Sequence, residues 1–124
     1  MFTRIHFQTI GVTDMARALE FYTSKLGFLV ERDISRGAFR WIFLKLPGAG
    51  TLLHFDLRPS LEPGSTPALV LLDDDVDATC PKLVAGGVEV VDGPDDARWE
   101  PGVRWAQFRD SEGNLIFIQT IKGS

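Results

Sequence analysis

Val12-Thr13-Asp14-Met15-Ala16-Arg17-Ala18-Leu19-Glu20-Phe21-Tyr22-Thr23-Ser24-Lys25-Leu26-Gly27 is the segment from which the architecture of this chain is best read. Met15, Leu19, Tyr22 and Leu26 recur at spacings of four, three and four, which predicts an amphipathic helix of about three turns. Asp14 stands where a side chain can accept from the first free backbone N–H groups, and Gly27 stands where a left-handed residue would close the helix. Upstream, residues 5–12 read as a strand that runs into this cap. Downstream, residues 28–33, 39–46 and 51–57 are short β-rich runs, separated by the turn formers Ser35-Arg36-Gly37 and Pro47-Gly48-Ala49-Gly50. The first half is therefore βαβββ.

After a loop over residues 59–67 the pattern restarts with Ala68-Leu69-Val70-Leu71-Leu72 and an acidic cap region, Asp73-Asp74-Asp75. Asp74 precedes Gly87 by thirteen residues, as Asp14 precedes Gly27, so the halves match at an offset of 60. The second half continues with an expected loop over residues 92–101, a strand over 103–109, a turn at Asp110-Ser111-Glu112-Gly113 and a last strand over 115–121. Pro81 inside the second helix removes one i to i−4 hydrogen bond and predicts a shorter or kinked helix. The expectation is an α+β fold: one domain, residues 1–124, made of two βαβββ modules over about 4–58 and 67–121. Their sheets would pair into a cup-shaped mixed sheet, with the helices on the outer face and a cavity on the concave one.

Composition agrees with one globular domain and excludes several classes. The chain has 124 residues, 44% of them apolar, with nine Phe and three Trp, enough for a real core. Uninterrupted apolar runs such as residues 68–72 fall far short of the ~20 residues a membrane span needs, so no membrane association is expected. Met1-Phe2-Thr3-Arg4-Ile5-His6 is followed by no apolar signal region, and the expected compartment is the cytoplasm. Thirteen basic residues scattered among seventeen acidic ones leave a net charge of −4, which argues against nucleic acid as a partner. Cys80, the one cysteine, lies among Asp77, Leu83 and Val84 and reads as a buried, inert thiol. It has no His placed beside it, and no Ser occupies an elbow motif, so no catalytic nucleophile is visible.

Several pieces together resemble the vicinal oxygen chelate superfamily, which includes glyoxalase I, bleomycin-resistance proteins and extradiol dioxygenases. They are Val12-Thr13-Asp14 with Ala18-Leu19-Glu20-Phe21-Tyr22 and Leu26-Gly27-Phe28, then Gly86-Gly87-Val88, then Phe108-Arg109-Asp110-Ser111-Glu112-Gly113-Asn114-Leu115. The likeness covers residues 7–120; Ser111 stands where the family usually has Pro. The resemblance implies four metal-ligand positions, one on each of four inner strands, and they fall on Phe7, His54, Ala68 and Phe117. His6 neighbours the first but should point the other way, since successive strand residues face opposite sides. One imidazole does not hold a divalent ion: catalytic zinc sites use about three protein ligands. The remaining metal arrangement would be a non-standard site of His54, Asp56 and Gln119, two of which lie on one face of one strand.

If residues 47–50 close a four-residue hairpin, Phe43 lies opposite His54 and Trp41 opposite Asp56. With Phe7, Thr9, Phe39 and Phe117 they would form an aromatic wall carrying a His/Asp patch, in which His54 hydrogen-bonds Asp56 or a ligand. Trp99-Glu100-Pro101-Gly102-Val103-Arg104-Trp105 resembles the lip before the penultimate strand in bleomycin-resistance-like members; Arg104 or Trp105 would face the cavity, according to register. The function expected is metal-independent binding of a small molecule, of a sequestering or resistance type, with no cofactor, by a homodimer. The alternative is a divalent-metal-dependent lyase, isomerase or dioxygenase with a site around His54, or an acid–base catalyst in which Asp56 orients His54. A third reading is a scaffold whose cavity is filled by its own aromatic side chains.

Overall fold

The computed structural model describes residues 1–121; Lys122, Gly123 and Ser124, part of the span expected for the domain, lie outside the described residues. The chain divides into two compact units, one ending at Leu61 and the other beginning at Glu62. The first holds β1 (Phe7–Val12), helix α1 (Met15–Glu20), β2 (Leu29–Arg36), β3 (Phe39–Lys45) and β4 (Leu52–Leu57). The second holds β5 (Leu69–Leu72), α2 (Val76–Ala85), β6 (Val90–Asp96), β7 (Arg104–Arg109) and β8 (Leu115–Gln119). Each unit is a βαβββ module with one four-stranded mixed sheet, ordered β1-β4-β3-β2 and β5-β8-β7-β6. In both, the first strand runs parallel to the last and the other pairings are antiparallel. The α+β class and the two modules expected from the repeat are what the chain adopts. Among the described residues no helix is long and apolar enough to cross a membrane.

Strand alternation sets which face packs on the helix. In the first module Ile10, Val12, Ile42, Leu44, Leu53 and Phe55 are buried, and the α1 segment covers them with Ala18, Phe21 and Tyr22. Tyr22 meets Phe28 and Phe55 edge-on at 5.4 and 5.5 Å, and each such aromatic side chain buried is worth about 1.5–3 kcal/mol. In the second module Leu69, Ala106, Phe108, Ile116 and Ile118 meet Val76, Cys80 and Leu83 of α2.

The two helices differ in a way the repeat did not show. Asp14 caps α1, its carboxylate accepting from Arg17 N at 3.0 Å. In the second module the corresponding cap is Asp75, which accepts from Ala78 N at 3.1 Å, and not Asp74. The caps are thus 61 residues apart while Gly27 and Gly87, both with positive φ, are 60 apart. The first helix absorbs its extra residue in a π-helical turn, Phe21–Lys25, that follows α1 directly. Its closing bond runs from Phe28 N to Tyr22 O (3.0 Å), one residue wider than the bond from Val88 N to Leu83 O (2.9 Å) that closes α2. α2 runs for ten residues through Pro81, one fewer than the eleven of α1 with its π-helical turn, and the π-helical departure from α geometry lies in the first helix.

The expected loop over residues 92–101 is also corrected. β6 continues to Asp96 as an edge strand with register shifts between Val90 and Asp92 and between Asp92 and Asp95. Pro94 is tolerated there because an edge strand at a bulge needs no N–H from it. Gly93, at φ 73°, has no room for a side chain, since a Cβ would lie 2.6 Å from Trp105 O and 2.9 Å from Ala106 Cα. β8 ends at Gln119, short of the expected residue 121.

Candidate functional site

With one face of each sheet committed to its helix, the other face presents a second set of side chains. In the first module that face carries Phe7 and Thr9 from β1, Phe39, Trp41 and Phe43 from β3, and His54 and Asp56 from β4. The antiparallel ladder pairs Phe43 with His54, as the hairpin arithmetic required, but does not extend to the expected pair of Trp41 with Asp56. The parallel ladder of β1 and β4 pairs Thr9 with His54 and Gly11 with Asp56. The His54 ring lies 5.2 Å from Phe7, edge-on, and 5.0 Å from Phe43. Phe7 and Phe43 meet edge-on at 5.4 Å.

The polar partner of His54 is Thr9, whose Oγ1 lies 3.2 Å from Nδ1. Asp56, expected to orient the imidazole, is instead paired with Arg58, Nε to Oδ2 at 3.1 Å. Residues two apart on a strand share a face but stand about 6.5 Å apart along it, whereas a cross-strand neighbour is closer. The sequence supplied Thr9 and His54 but no sign that β1 lies beside β4, so their bond was not legible. Beside this cluster Phe39 and Trp41 stack at 5.8 Å, and a hollow of about 350 Å³ is lined by these two rings with His54, Asp56, Arg40 and Met15 among others. Arg40, at the border of the hollow, is bonded to Asp33, to which Nε and Nη2 donate at 2.9 and 2.7 Å; that bond keeps the Asp33 carboxyl below its ordinary pKa.

In the second module the face away from α2 carries Val70, Trp105, Phe117 and Gln119. Trp105 and Phe117 stack almost parallel, 5.7 Å apart and 8° off. Trp99, from the β6–β7 connection, joins them at 6.5 and 6.0 Å. That connection is tied by a bond from Ala97 N to Val103 O (2.8 Å), which brings Trp99 back over the strands. Register settles the choice between Arg104 and Trp105: Trp105 takes the aromatic face, and Arg104 takes the helix face. There Arg104 Nη2 and Nε donate to Asp77 of α2 at 2.7 and 3.1 Å, and Nη1 to Asp96 at 3.3 Å. Arg104, a candidate ligand-binding residue from sequence, is therefore a tie between β7, α2 and β6. The Asp77 carboxyl is lowered by the same hydrogen bonds. Cys80 is buried and free, its thiol pushed up by burial and by Asp73 and Asp77.

The residues at the four inherited ligand positions do not fit a metal. Phe7 and Phe117 offer aromatic faces, Ala68 a methyl group, and His54 a single imidazole bordered by two phenyl rings. Of the non-standard set, Asp56 is engaged by Arg58, and Gln119, on β8 of the second module, donates from Nε2 to Thr120 O at 3.2 Å. Among the described residues no group of three or more His, Cys, Asp or Glu is placed to hold a metal ion.

A family profile, Glyoxalase/Bleomycin resistance protein/Dioxygenase superfamily, matches residues 4–118. The chain is 32% identical to the Bacillus subtilis protein YurT, over 93% of this chain and 97% of that one. Among solved structures it resembles TnmS3, an antibiotic binding protein from Streptomyces sp. CB03234, with 35% identity, a TM-score of 0.82 and 96% of each chain covered. A superfamily member from Sphaerobacter thermophilus gives 29% identity and a TM-score of 0.85, over 97% of this chain and 98% of that one. With the repeat, the two mixed sheets and these likenesses in agreement, the chain belongs to the glyoxalase/bleomycin resistance protein/dioxygenase superfamily.

Proposed function

We propose that this protein binds a planar, largely aromatic small molecule without a metal ion, as a sequestering or resistance-type protein. The observation that carries the reading is the replacement of ligand chemistry by ring faces: Phe7 beside His54 in one module, Phe117 stacked on Trp105 in the other. Flat apolar walls with a few fixed polar groups suit an organic ligand. The similarity to an antibiotic binding protein supports the same class of ligand. The His54 imidazole lies between two phenyl rings with a threonine at Nδ1, surroundings that suit an organic ligand better than a metal ion.

Titration with a panel of polycyclic aromatic antibiotics in the presence of EDTA tests this. At least one should quench tryptophan fluorescence saturably at micromolar concentration, and Phe117→Glu should weaken it at least tenfold, because a carboxylate against apolar ligand surface costs a few kcal/mol to desolvate. Binding that requires added zinc, nickel or manganese, or a panel with no binder, would overturn the reading. We also infer a homodimer. Strands β1, β2, β5 and β6 are edges of their own sheets, and Val70 and Leu72 on β5 are each 62% exposed. Light scattering should report about twice the 13.8 kDa chain mass.

A further inference from the structure

The hollow of the first module has a polarity that aromatic binding alone does not require. Its volume, about 350 Å³, suits a small organic molecule. Phe39 and Trp41, stacked 24° from parallel and 68% and 39% exposed, offer their rings to it. A ring face is the negative end of an aromatic quadrupole and attracts cations. Asp56 borders the same hollow, and its ionic partner among the described residues, Arg58, is bonded through a single oxygen in an exposed pair of the kind that contributes little. The positive charge bordering the hollow, Arg40, is already committed through two nitrogens to Asp33. His54 is engaged at Nδ1 by Thr9, which leaves Nε2 for a ligand. What remains uncommitted is an acidic oxygen and two ring faces, within a chain of net charge −4.

We propose that this hollow selects planar aromatic cations, with the ring system against Trp41 and Phe39 and the positive charge on Asp56, where it displaces Arg58. The inference rests on the small-molecule-binding reading and adds the charge class and the place.

Three compounds sharing one ring system test it at a pH of about 8: N-methylacridinium, acridine and acridine-9-carboxylate. The cation should bind about five- to tenfold tighter than acridine, and the carboxylate weakest, as expected for one exposed charge contact and one ring contact. Asp56→Asn should remove the preference, bringing cation and acridine to equal affinity. Arg58→Gln should act in the opposite direction, strengthening the cation by about two- to threefold by removing its competitor. Trp41→Leu should weaken cation and neutral compound alike. Should Asp56→Asn fail to fold, added salt serves in its place, weakening the cation and sparing acridine. Equal binding of cation and acridine, tighter binding of the carboxylate, or a preference that survives Asp56→Asn would each overturn the charge assignment while leaving small-molecule binding intact. If no acridine binds but an antibiotic from the panel does, the hollow is not the site. If neither set binds, the functional reading itself fails.

Discussion

The two modules share a plan on one face of their sheets and diverge on the other. Both bury aliphatic and aromatic side chains under a helix that begins at a capping aspartate and ends before a glycine with positive φ. Both place an arginine on the third strand, on the helix side: Arg40 ties β3 to Asp33 of β2, and Arg104 ties β7 to Asp77 of α2 and Asp96 of β6. The opposite faces have little in common. One carries a Thr9–His54 hydrogen bond between phenyl rings, the other a stack of Trp99, Trp105 and Phe117. A helix face must fill its space at close-packed density, so its pattern persists from one module to the next. A face that does not hold the module together is free to take up separate chemistry, and this is where ligand specificity can reside.

The largest expected effect tests that division directly. Phe55→Ala removes a ring that is 1% exposed against Tyr22 and should cost about 3–5 kcal/mol in urea denaturation. Phe117→Ala should cost less than half of that, being only partly buried. Equal losses would mean that the aromatic face is core, favouring a scaffold filled by its own side chains. Glycine positions give a second, smaller contrast. Gly93→Ala forces a Cβ against the β7 backbone at positive φ and should destabilise by about 2–4 kcal/mol. Gly27→Ala meets open space and should cost about 1–2 kcal/mol for the left-handed backbone alone. Comparable melting-temperature shifts for the two would show that β6 adjusts freely.

The smallest effect compares the two arginine ties in acid. Hydrogen bonds from Arg40 and Arg104 hold the Asp33 and Asp77 carboxyls below their ordinary 3.8. A carboxyl lowered in the folded state contributes stability that is present above its unfolded pKa and is lost as pH falls through the folded value. Asp33→Asn and Asp77→Asn should therefore each lower the urea midpoint slightly at neutral pH and flatten its decline below pH ~4. A decline as steep in both variants as in the parent would remove these pairs from the acid response.

The repeat, the helix stripe of Met15, Leu19, Tyr22 and Leu26, and the turn formers at Pro47 to Gly50 were enough to determine two βαβββ modules, because short-range periodicity and turn chemistry act within a few residues. The pairing of Phe43 with His54 followed from hairpin length for the same reason. What only the tertiary structure decided depends on contacts between segments far apart in the chain. Thr9 reaches His54 across 45 residues because a parallel pairing leaves no turn in the sequence to mark it. The one-residue difference between the helices was invisible at Asp73-Asp74-Asp75, where three adjacent carboxylates could each serve as the cap and backbone geometry chose Asp75. Arg104 and Trp105 are neighbours of opposite parity, and their faces were decided by the unbroken pairing of β7 with β8, which sets Trp105 beside Gln119 and Ala106 beside Ile118.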